Sequence, residues 1–193
     1  MKKLTGGQIT LIVMGVVLLI LALWVIGSYN SLVRQDESVN EKWANVQTAY
    51  QRRADLIPNL VAVVRQYSNY EGSVLTEITE ARASVAKAST PSELAAAGDK
   101  MDSALARLLV VVENYPNLKA NENYLSLQDE LAGTENRIKT ERDIYNNAVK
   151  EMNIKVRRFP TNIVANMFGF EQRDMFEAAA GTETAPDVKS LME

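Results

Sequence analysis

Between Thr134 and Val149 the chain reads TENRIKTERDIYNNAV, a stretch that scans as one helix yet carries charges where a bundle needs apolar side chains. Glu135 and Arg142 stand at positions that continue the 4-3 spacing of Leu131, Ile138, Tyr145, Val149 and Met152. Glu141 lies beside them, and Asn136 and Asn146 add amide groups to the same helix. Neighbouring carboxylates are raw material for general acid–base work when one is kept protonated. A carboxylate facing an arginine has the opposite fate, because the cation holds it ionised and occupied. The same residues therefore fit either a substrate site or a polar layer inside a structural bundle.

The residue types that are missing favour the polar layer. The 193-residue chain has no histidine and no cysteine. That removes disulfides, thiolate zinc sites, cysteine nucleophiles, the commonest general base and the Glu-x-x-His pairs of helical di-iron sites. None of the nine glycines belongs to a phosphate-binding or dinucleotide-binding loop. An enzyme would have to rely on carboxylate, Tyr, Lys or Ser chemistry alone, so no catalytic residue, metal or cofactor is expected. Net charge is -3 with no basic stripe interleaved with aromatics, which argues against nucleic acid as a partner.

The elements that position these residues begin with an anchor. Ile9 to Ile26, ITLIVMGVVLLILALWVI, is almost wholly apolar and as a helix covers about 27 Å, close to a bilayer's hydrocarbon thickness. Trp24 and Tyr29 fall near one end, where amphipathic rings favour the interface. A cleaved signal peptide is the competing reading, but its apolar core is usually shorter, about 7–15 residues, with a small-x-small cleavage site. Lys2 and Lys3 precede the span, while Arg34 and Lys42 are the nearest bases after it. The positive-inside tendency then predicts a cytoplasmic N-terminus and a domain outside the cytoplasm, at a cell membrane crossed once.

Beyond the anchor an apolar stripe runs through Val39, Trp43, Val46, Tyr50, Arg53, Ile57, Leu60, Val64, Tyr67, Glu71, Val74, Ile78, Ala81 and Val85. Pro58 should kink that helix or break its ladder briefly, and Asn69 to Gly72 is the better site for a turn. Thr90-Pro91-Ser92-Glu93 is a capping box with proline at the first helical position. The stripe after it is Leu94, Gly98, Met101, Leu105, Leu108, Val112 and Tyr115, and Pro116 ends it. A last helix runs from about Asn121 to Arg158, with Pro160 as its stop. These spacings predict an all-α fold: a transmembrane helix, then an up-and-down antiparallel four-helix bundle, with three long helices as the alternative because the stripe keeps phase across Glu71. The segments are an anchor over 1–29, a bundle over 30–159, an aromatic-rich helical segment over 160–181 and a tail over 182–193.

In such a bundle the first and last helices are antiparallel, with facing residue numbers summing to roughly 194. Arg53 is then level with Glu141, and Arg82 with Glu135. Two Arg–Glu pairs are expected across the helices, with Asn136, Arg142 and Asn146 completing a polar core that sets register. Phe159, Ile163, Met167, Phe168, Phe170 and Phe176 follow the last helix, at the end nearest the membrane. They are expected to pack on the bundle base or to dip into the interface, Phe168 and Phe170 alongside Trp24 and Tyr29.

YNSLV after the N-terminal span, RRADLIPNLV, YEGSVLTEITEAR, NLKANENYLSLQDELAGTENRIKTERDIYN and FPTNIVANMFGF together resemble the LemA family of bacterial membrane proteins. The resemblance runs from Tyr29 to about Phe176; Met152 before Asn153 departs from it, where an aromatic is expected. It implies a single-pass membrane protein with a helical-bundle domain and no established enzymatic activity. The expected role is a scaffold that self-associates into a homo-oligomer or presents a helical face to protein partners at the bilayer. A membrane-tethered sensor of a ligand or envelope stress is the alternative.

Overall fold

The computed structural model describes residues 6–67 and 73–177, and all regular structure among them is helical. The order is α1 (Gly6–Tyr67), α2 (Ser73–Lys87), α3 (Pro91–Glu113), α4 (Pro116–Lys119), α5 (Glu122–Arg157) and α6 (Thr161–Phe168). The apolar stretch and the first bundle helix are one uninterrupted helix of 62 residues. Pro58 sits inside it without ending it. A proline removes its own N–H from the ladder and crowds the carbonyl four residues before it, yet the stripe residues Leu60 and Val64 beyond it are buried. The turn expected at Asn69 to Gly72 and the tail over 182–193 lie outside the described residues.

The capping box at α3 forms in both directions. Glu93 N–H donates to Thr90 Oγ1 at 3.2 Å, and Glu93 Oε2 accepts from the N–H groups of Ser89 (2.8 Å) and Thr90 (3.3 Å) and from Ser89 Oγ (2.9 Å). These bonds, the Ser89 N–H first, hold the Glu93 carboxyl below the usual carboxylate range. Pro116 ends α3 as expected and then opens α4, a single turn whose Leu118 is fully buried.

The chain divides into two compact units. The first comprises Met1–Thr48 and Lys139–Arg173. Within it α1 and α5 run antiparallel, as the descending pairs Ser31–Lys155, Gln35–Ala148 and Trp43–Tyr145 show. Its core is Leu32, Val39, Val46, Val149, Met152, Val164 and Ala165, all buried. Residues after α6 are tied back by Asn153, whose amide pairs with the Arg173 peptide in both senses, at 2.9 and 2.8 Å.

The second unit comprises Ala49–Ile138 and Asp174–Glu193, so four helices contribute to it besides the short α4. Helices α2 and α3 pack on one another, and Ile57, Leu60, Ile78, Leu94, Met101, Leu108 and Leu131 are buried. Gly98 occupies a buried stripe position because the Tyr50 ring lies on it; a Cβ there would stand 2.7 Å from Tyr50 Cε1.

Candidate functional site

The polar residues of the last helix take a register different from the expected one. Thr134 and Glu141 are buried, while Glu135 and Asn136 are exposed and Arg142 and Asn146 are intermediate. The reason is helical geometry. At about 100° per residue, Thr134 stands within roughly 20° of the direction of Tyr145 and Glu135 about 80° from it. A seven-residue template treats the two positions alike, whereas an undistorted helix drifts against that template and buries the earlier one.

The pairing shifts with it. Arg53 is buried and makes an ion pair with Glu135, together with a 2.6 Å pair to Asp102 of α3. Arg53 thus meets Glu135 and Asp102, two carboxylates that the expected alignment did not give it. In this unit facing numbers on α1 and α5 sum to 188, as in Arg53 with Glu135 and Tyr67 with Asn121. Relative to the expected sum of roughly 194, α5 is displaced by about 9 Å along α1. Arg82, expected opposite Glu135, meets Asp55 at 3.4 Å across a partly exposed surface. Asp102 was not singled out from the sequence, since it lies one residue off the α3 stripe. Half-exposed burial pushes its carboxyl above the usual range, Arg53 opposes that, and the charges of Glu135 and Asp99 add to it.

Arg53 thus clamps α1 to both α3 and α5, with each carboxylate occupied. Among the described residues no three metal-ligating side chains gather in one place.

A second concentration of candidate residues lies in the first unit, where the apolar stretch ends. The residues of that stretch are exposed apart from the half-buried Trp24 and Val25, with Leu11, Leu18, Leu19 and Leu23 above 60%. The Tyr29 ring packs on Phe168 at 4.8 Å, tilted by 57°, and meets Phe170 edge-on at 5.8 Å. Gly169, at φ 75°, makes the left-handed turn that brings Phe170 round, and the Phe170 N–H donates to Ala165 O at 2.9 Å. Helix α6 divides its side chains: Val164 and Ala165 are buried, whereas Ile163, Met167 and Phe168 are at least half exposed. Trp24 faces an open depression beside this cluster. The sequence brought out the aromatics here but not the polar residues beneath them. Buried Gln35 donates to Ala148 O (3.2 Å) and to Glu151 (3.3 Å), and Lys155 donates to Ser31 (3.3 Å) and Gln35 (3.2 Å). Gln35 and Lys155 face each other only once α1 and α5 are aligned.

Comparison with known proteins places these features in a family. The model of the LemA family matches residues 42–189. Magnetosome protein MamQ 1 of Paramagnetospirillum magneticum is 25% identical over 182 residues, covering 81% of this chain and 67% of its own. MamQ of Magnetospirillum gryphiswaldense is 22% identical over the same coverage, and protein LemA of Metamycoplasma hominis is 27% identical over 170 residues, covering 86% and 76%. With the family model spanning most of its length, and with the all-helical architecture described above, this chain belongs to the LemA family.

Proposed function

We propose that the protein is a non-enzymatic scaffold held in the cell membrane by α1, which self-associates or offers a helical surface to protein partners. The observation that carries the anchored part is the apolar stretch itself. An 18-residue window of α1 has a mean hydropathy of 3.1 and none of it is buried, so a bilayer is the solvent it suits. The exposed face of α6 and the rings of Tyr29, Phe168 and Phe170 belong at the interface in this reading, with Trp24. The charges before the span argue for a cytoplasmic N-terminus.

Support for a structural role comes from Arg53, whose charge is spent on joining helices. The names of the magnetosome relatives refer to a cellular structure and not to a reaction, which accords with it. Sizing of the detergent-solubilised full chain over a range of concentrations, with crosslinking in native membranes, tests the scaffold. Oligomers or reproducible crosslinked partners are expected; a strict monomer with no crosslinked partner would overturn it.

A further inference from the structure

We propose that the depression at the end of the apolar stretch binds the phosphate of an anionic phospholipid headgroup. It has a volume of about 500 Å³, and its lining includes Trp24, Ser28 and Ser31 of α1 together with Lys155, Arg158 and Thr161. All of these belong to the first unit. The proposal rests on the membrane-anchored reading, from which its ligand follows.

Charge is the first argument. Lys155 gives two of its N–H groups to neutral acceptors, Ser31 Oγ and Gln35 Oε1, which leaves a third. Arg158 is exposed and, among the described residues, neither cation is held in an ion pair. Glu151 reaches this network only through Gln35, at 3.3 Å. Two cations without a bonded counter-charge, flanked by hydroxyls, suit a phosphodiester; arginine can grip it with a fork and lysine as a point charge.

Depth is the second. Ser28 and Ser31 follow Ile26 by about 3 and 8 Å of helix rise. A headgroup layer occupies roughly 5–8 Å beyond each side of the hydrocarbon. Phe159, another lining residue, is 75% exposed, and Ile163 beyond it is half exposed. Apolar side chains at the rim suit acyl chains and have no use for a free, fully hydrated phosphate. A zwitterionic headgroup would bring its own ammonium towards Lys155 and Arg158, so the anionic class is favoured.

The test uses the full chain in mixed micelles of phosphatidylglycerol and phosphatidylcholine, with retained lipids counted by native mass spectrometry. Preferential retention of phosphatidylglycerol is expected. Arg158→Gln, which removes an exposed side chain, should cut that preference about fivefold, the effect of one cation near an anionic surface, and adding Lys155→Gln should cut it again. Arg52→Gln, an exposed cation in the other unit, should leave it unchanged. Equal retention of both lipids, or an equal loss in Arg52→Gln, overturns the proposal. So does an Arg158-dependent rise in Tm with inorganic phosphate but no lipid preference, which would mark a free-anion site. Vesicle flotation in alkaline carbonate separates the two readings. A chain that fails to float overturns the anchor itself, whereas one that floats without headgroup preference overturns only this site.

Discussion

Arg53 carries the largest single-residue consequence of the structure, because one buried guanidinium meets carboxylates from two other helices. Arg53→Ala should lower stability by about 2 kcal/mol, in the range for bonds to charged groups, since both partners can recover water. Arg53→Lys should recover only part of this, as an ammonium lacks the fork that spans both partners. Thermal and denaturant unfolding of the solubilised chain checks both. Asp102 adds a pH dependence. Its folded-state pKa is raised, chiefly by burial, so its contribution is fully present below the unfolded carboxylate value and fades as pH rises through the folded one. Asp102→Asn should therefore gain on the wild type as pH rises from the acid range to neutrality, read as the difference in Tm. At Gly98 the Tyr50 ring leaves no room for a methyl. Overpacking costs about 1–3 kcal/mol and outweighs a helix-propensity gain of about 1, so Gly98→Ala should destabilise by roughly 1 kcal/mol. In a Tyr50→Ala background the same change should stabilise, and a double-mutant cycle reads the reversal. The sequence pointed to Arg53 as a buried cation but not to Glu135 and Asp102 as its partners. Partner identity depends on the sliding register of α5 on α1, and a displacement of about 9 Å brings Glu135 level with Arg53.

Helix ends were the most legible elements, because their signals are local. Thr90, Pro91 and Glu93 announced α3, and the box formed with all its bonds. Thr90→Ala should cost about 1 kcal/mol, seen as a lower Tm and faster amide exchange in the first turn of α3. Pro116 was equally clear as a stop, yet the turn it opens, α4, was not foreseen, since four residues are too few to show a period. Along α5 the apolar residues Leu131, Ile138, Tyr145 and Met152 marked the inner face correctly. The positions between them were misread by one residue, because a seven-residue spacing does not distinguish Thr134 from Glu135 until a partner helix fixes the facing direction. Asn153 illustrates the other limit. Its amide pairs with the Arg173 peptide 20 residues away, a contact with no sequence period to announce it.

For the molecule as a whole, the apolar stretch is the dominant feature. Deleting residues 6–26 should move the chain from the membrane pellet to the soluble fraction on carbonate extraction, and a deleted chain that stays in the pellet would show that the stretch is not the anchor. By itself the sequence determined the all-helical class, the family, the apolar stretch, the capped start of α3 and the apolar residues on the inner face of α5. These follow from period, composition and local hydrogen bonding, which act within a few turns of one helix. The tertiary structure decided which carboxylates meet Arg53, that Gly98 makes room for Tyr50, and that Lys155 and Arg158 share a depression with Ser31 and Trp24. Such choices depend on the register between helices distant in sequence. Backbone periodicity leaves that register free, and only the interlocking of particular side chains in each core sets it.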